Sequence, residues 1–169
     1  MARFSSCVEC ESIQTHKPVQ PARVAAKPVL IETPDLASAL SRRYHCMLSG
    51  LGLGGGDVAA ARVLRSELAD WVVENGGRVL GGLTVAQWVH AEYKEAVEVY
   101  ARRIKNGRYG GALEMKAFSL KYKVPVELYE QTSFGLIHLW ETSPGNVQGA
   151  EALRLLYRSK IHFDRVELA

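Results

Sequence analysis

Two parts of the chain hold residue types that together can break an acyl bond. Near the C-terminus, Ile161-His162-Phe163-Asp164 reads as a β-strand. In a strand, side chains at i and i+2 lie on one face, so His162 and Asp164 share a side and Phe163 faces the core. A histidine can take a proton from a nucleophile and return it to the leaving group. A carboxylate beside it fixes the tautomer and stabilises the imidazolium. The matching nucleophile far upstream is Cys46, followed by the apolar Met47-Leu48. A thiol at a helix N-terminus, with Arg42 and Arg43 just before it, is held toward the thiolate. Read alone, Cys46 is more usually a small core residue, and His162 and Asp164 are equally a polar pair on a surface strand. His45 is adjacent to Cys46, but neighbouring side chains diverge, which disfavours it as the base.

The elements that must position these residues follow from periodicity. Asp57 caps a helix reaching Asn75, with Val63, Leu64, Leu68, Trp71 and Val72 near 3.6-residue spacing. Thr84 caps a second helix running to Lys105, and a third covers about 112–122. Pro125 ends the helical pattern. Strands then follow at 124–129, 136–140, 153–157 and 161–168. Helices first and strands afterwards point to an α+β fold. His90 and His138 fall within these patterns as structural residues, and Trp140 as core.

Ahead of the domain, Pro18, Pro21, Pro28 and Pro34 interrupt any helix or central strand. Residues 1–34 are therefore expected to form a flexible leader, and 35–169 the domain. Residues 12–31 contain no acid, but the apolar stretch of a secretory signal is missing, which makes targeting the minor reading. Cys7-Val8-Glu9-Cys10 with His16 falls one ligand short of a zinc site, so these thiols are read as exposed and no metal is expected. Gly52 and Gly54-Gly55-Gly56 lack the Gly-Lys-Ser/Thr of a phosphate loop and read as a flexible connection.

The chain has 169 residues, 47% hydrophobic and 23% charged, which suits one globular domain. A net charge of +3, spread along the chain, does not argue for nucleic acid. Three cysteines suit a reducing, cytoplasmic or nuclear setting better than a disulfide scaffold. No apolar run approaches the roughly 18 residues of a membrane span.

Several segments resemble the ovarian-tumour (OTU) domain cysteine proteases. Tyr109-Gly110-Gly111-Ala112-Leu113-Glu114 is similar to the family's aromatic-Gly-Gly-x-x-Glu helix start, where tryptophan is usual. Val124-Pro125-Val126-Glu127-Leu128-Tyr129 resembles the strand that follows it there. His162-Phe163-Asp164 matches the family's His-aromatic-Asp/Asn, and Cys46-Met47-Leu48 resembles its nucleophile segment. The likeness spans roughly 40–168 in the family's order.

It implies a small central sheet flanked by helices, with Cys46 as nucleophile at a helix start, His162 as general base and Asp164 as orienting acid. The implied reaction is thiol-dependent hydrolysis of isopeptide or peptide bonds after the C-terminus of ubiquitin or a ubiquitin-like protein. No cofactor, nucleic acid or membrane is implied, and the oligomeric state is left open. The family's Asp-Gly-Asn before the cysteine is Arg43-Tyr44-His45 here. That loop would supply oxyanion-hole amides. Tyr44 lacks glycine's freedom there, and Arg43 is a candidate cation for the oxyanion. The alternative is a catalytically impaired OTU-fold module that binds ubiquitin or another protein partner.

Overall fold

A computed structural model describes residues 23–24, 28–31, 39–53, 57–133, 135–145, 149–158 and 162–168. In chain order the elements are β1 (Arg23–Val24), β2 (Pro28–Ile31), α1 (Ala39–Gly50), α2 (Val58–Glu74), β3 (Val79–Leu80), β4 (Leu83–Thr84) and α3 (Val85–Tyr93). They continue as α4 (Val97–Lys105), α5 (Ala112–Tyr122), β5 (Val126–Thr132), β6 (Gly135–Thr142), β7 (Leu153–Arg158) and β8 (His162–Leu168). The fold is α+β. The main sheet has the order β1-β6-β5-β7-β8-β2, and β3 and β4 form a separate hairpin. Within the main sheet β5 and β7 run parallel, and the other pairs are antiparallel.

The first two strands fall within residues 1–34, the segment expected to be a flexible leader. Residues 23–24 and 28–31, assigned by sequence to a leader, pair with β6 and β8 at the two edges of the main sheet. Proline is compatible with that place. It lacks a ladder donor, so it is confined to edge strands or a strand's first residue, and Pro28 opens β2.

Local chemistry explains the helix ends. Asp57 Oδ1 accepts from the amides of Ala59 (2.8 Å) and Ala60 (3.1 Å), starting α2 at the expected residue. The single helix expected over Thr84–Lys105 is two. Thr84 and Gln87 form a capping box at the start of α3, and Lys94 closes it in the left-handed region at φ 58°. The break leaves Glu95 facing inward, where it receives Arg103 and, at 2.9 Å, Arg108. A continuous helix would have spaced these groups by turn geometry alone.

The helices cover one face of the main sheet. Val126, Leu153, Leu155 and Phe163 point there and join Met47, Leu68, Val72, Phe118 and Ile104 in the core. The other face carries a smaller cluster of Tyr129, Leu136, Leu156 and Val166. Leu155 and Leu156 show the strand alternation that divides the two.

Lys123 also ends a helix in the left-handed region, at φ 61° after α5. A Cβ is costly there and glycine is not. Lys123→Gly is expected to raise stability by about 0.5–1 kcal/mol, the left-handed penalty less glycine's entropy cost. Urea denaturation of the two proteins checks it.

Candidate functional site

The centre of α1 is buried on every side. Arg43, Tyr44, His45, Cys46, Met47 and Leu48 are six consecutive buried residues. Only a helix wedged between layers is enclosed in this way. Toward the sheet, the Cys46 thiol donates to the Phe163 carbonyl at 3.4 Å. Arg165 Nη1 donates to the Ser49 carbonyl at 2.9 Å. A Cβ on Gly50 would stand 2.8 Å from Leu153 Cδ1, so the helix end approaches β7 closely. Residues 46 and 49 thus meet 163 and 165 in turn. α1 and β8 run in the same direction, and the N-terminal end of α1 lies toward the His162 end of the strand.

This geometry departs from the arrangement expected of Cys46. The thiol does not start a helix; α1 begins two turns earlier, at Ala39. Terminal dipole effects have faded at that depth. Cys46 has no exposed surface, and its S–H is engaged with a main-chain carbonyl. Arg43, Tyr44 and His45 form no loop. They lie within α1, where main-chain amides bond to carbonyls four residues back and cannot line an oxyanion hole. The His45 ring is buried with neither nitrogen hydrogen-bonded, which gives it no orienting partner as a base.

Arg43 has a different role from the one its sequence position suggested. Its guanidinium is buried, lies 4.1 Å from the Phe163 ring centroid and 5.5 Å from that of Tyr109, and donates to the Gly111 carbonyl at 3.0 Å. The Gly111 amide donates to Glu114 Oε2, and Tyr100 Oη donates to Glu114 Oε1 at 2.6 Å. Steric contact accounts for the paired glycines. A Cβ on Gly110 would lie 2.9 Å from Tyr44 Oη and 3.1 Å from Glu114 Oε2, and one on Gly111 would lie 2.8 Å from Tyr93 Oη. Tyr109-Gly110-Gly111-x-x-Glu114 is therefore a packing motif around buried charge. A second buried arginine, Arg65, sits 4.5 Å from the Tyr44 ring and donates to the carbonyls of Ile104 (3.4 Å) and Arg108 (3.3 Å) at the end of α4. The sequence offered Arg43 as a cation beside Cys46 and for the oxyanion; nothing local foretold its reach to residue 111.

On β8, Phe163 faces α1 and its ring packs 4.9 Å from that of Tyr157. Asp164 stands opposite Leu156, on the face of the smaller cluster, and accepts from Arg158 Nη1 at 3.3 Å. Cys46 and Asp164 are thus engaged on different sides of the strand. His162 is the first residue of β8, paired in register with Arg158; its side chain lies outside the described residues, as do Cys7, Cys10 and His16. Elsewhere, His90 is exposed on α3, and His138 packs its ring 5.2 Å from Tyr129. Trp140 packs against the core, as expected. Among the described residues, no three His, Cys, Asp or Glu side chains come together as a metal site. Features that sequence reasoning missed are the exposed apolar side chains of Val79 and Leu83, on the β3–β4 hairpin, and of Trp88, on α3.

Neither a protein-family model nor a curated protein sequence matches the chain. Solved structures do. The viral OTU domain protease from Taggert virus is 16% identical, with 88% of this chain and 85% of that one covered and a TM-score of 0.65. The viral OTU domain protease from Dera Ghazi Khan virus is 15% identical over 89% and 87% of the two chains, also at 0.65. The Hazara virus OTU bound to ubiquitin is 16% identical over 85% and 81%, at 0.52. The architecture is the OTU fold that the sequence motifs resembled.

Full burial pushes the Glu114 carboxyl above its ordinary value, against the opposing pull of Tyr100, the Gly111 amide and Arg43. The native state then holds this proton more tightly than the unfolded chain does. The associated stability is complete at low pH and is lost as pH rises through the native pKa. Unfolding free energy measured from pH 4 upward is expected to carry this falling contribution, and Glu114→Gln is expected to remove it.

Proposed function

Starting from the OTU fold, we propose that this domain recognises ubiquitin or a ubiquitin-like protein as a binding module, without cleavage through Cys46. The observation that carries this reading is the state of the thiol: it has no exposed surface and is bonded to the Phe163 carbonyl. A substrate carbonyl cannot approach within the roughly 3–3.5 Å needed for attack. The sequence supports it further. No cysteine occurs from residue 11 to 45, so the start of α1 offers no thiol, and Ser38 directly precedes it in the chain. The ubiquitin-bound OTU relative makes ubiquitin the natural candidate partner.

The half-exposed Trp88 (41%), beside the turn of the β3–β4 hairpin, offers apolar surface for a protein partner. Trp88 is held in place by its indole N–H, which donates to the Leu80 carbonyl at 2.6 Å. A positioned, half-exposed tryptophan is a frequent centre of binding energy. Trp88→Ala is expected to weaken ubiquitin binding about tenfold or more, with the circular dichroism spectrum unchanged.

A second reading, the thiol hydrolase, is favoured by one observation: the N-terminal end of α1 lies toward the end of β8 that bears His162. In that reading α1 opens to release Cys46. The Sγ proton passes to His162, and the thiolate attacks the carbonyl carbon of the last residue of the ubiquitin tail. The amine leaves with the proton, and water cleaves the thioester, while Asp164 orients the base. Incubation with a ubiquitin carrying a thiol-reactive C-terminus separates the two. Binding without an adduct is expected. An adduct lost in Cys46→Ser and weakened in His162→Ala establishes the hydrolase instead. Absence of both binding and adduct overturns both readings.

A further inference from the structure

Arg43 is an expensive choice for the position it occupies. Removing an arginine from water costs several kcal/mol unless its charge and donors are well matched. Its side chain is buried, its Nε has no hydrogen-bond partner, and no carboxylate lies within ion-pair distance of it among the described residues. A position needing only volume would be met by leucine or methionine. The guanidinium instead makes three contacts to two separate segments: the Phe163 ring at 4.1 Å, the Tyr109 ring at 5.5 Å and the Gly111 carbonyl at 3.0 Å. Desolvated cation–π contacts are the strong ones, worth about 2 kcal/mol. Phe163 lies between His162 and Asp164, on a strand whose carbonyl at 163 is also held by Cys46.

We propose that Arg43 is a positioning residue: it seats the His162-Phe163-Asp164 end of β8 against α1 and the Tyr109-Gly110-Gly111 turn, and the ubiquitin recognition proposed above depends on that seating. The seating of the strand stands on the contacts above. Only the link to recognition rests on the ubiquitin-binding reading. Arg65 provides the contrast. It is equally buried and also lies over an aromatic ring, that of Tyr44, yet its donors close the end of α4 and none of these contacts involves β8. Planarity is the property that matters, because lysine keeps the charge and the stem but neither stacks nor forks.

The test uses the full chain and three variants: Arg43→Lys, Phe163→Leu and Arg65→Lys. Phe163→Leu leaves the Arg43–Gly111 hydrogen bond in place, so it tests the stacking even where Arg43→Lys fails to fold. Amide hydrogen exchange is read at residues 162–165 in the folded proteins, and ubiquitin affinity is measured alongside. Arg43→Lys and Phe163→Leu are expected to speed exchange at 162–165 about tenfold and to weaken ubiquitin binding by a similar factor. Arg65→Lys is expected to lower the melting temperature and leave exchange at 162–165 unchanged. Unchanged exchange in the first two variants, or an equal rise in Arg65→Lys, overturns the proposal. Should the wild-type chain bind no ubiquitin, the binding reading falls, and the exchange data still decide whether Arg43 seats the strand.

Discussion

The peptide groups of Gly111 stand between the buried guanidinium of Arg43 and the buried carboxyl of Glu114. Its carbonyl accepts from Arg43 and its amide donates to Glu114. Each group therefore meets the matching end of a main-chain dipole, in a region shielded from water. Glu114 also lies in the first turn of α5, where the helix dipole favours an anion. Tyr100 reaches the same carboxylate from α4. One turn thus ties α1, α4 and α5 together, and the Phe163 contact of Arg43 extends the tie to β8. The absence of side chains at 110 and 111 is a condition of this arrangement, because a methyl at either would press on Tyr44, Glu114 or Tyr93.

Burying the middle of α1 has consequences for chemistry. The segment that resembled a nucleophile and its oxyanion loop has become a core helix. Its amides are committed to the helix, its thiol to Phe163 and its guanidinium to the Gly111 turn. Protein interiors are close-packed, so a residue that fills such a position has little freedom to meet a substrate. The same packing that supports the OTU architecture here withdraws Cys46 from solvent. Fold and chemistry are separable in this way because function resides in sites carried by a scaffold.

Much of the architecture was legible in the chain. Asp57, Thr84 and Asn75 marked helix ends through their own side-chain hydrogen bonds, which are local and so readable from neighbouring residues. The positions of β5 through β8 followed from alternation and from Pro125. The break between α3 and α4 was not legible, because Glu95 turns inward for Arg103 and Arg108, and the apolar stripe continues across the break. The two edge strands were also missed. Prolines exclude a central strand, but whether such a segment meets a sheet edge depends on the distant strands β6 and β8.

The amino-acid sequence by itself determined the α+β class, the order of the elements and the motifs whose arrangement matches the OTU fold. These depend on periodicity, caps and turns, which act over a few residues. Only the tertiary structure decided what Cys46, Arg43 and Asp164 do. Cys46 meets a carbonyl 117 positions away, Arg43 one 68 positions away, and Asp164 the side chain of Arg158 across the β7–β8 pairing. Burial and partnership are properties of the packed layers. The same Arg-Tyr-His-Cys run could have been a loop at the surface, and becomes a core helix because a sheet and a second helix close over it.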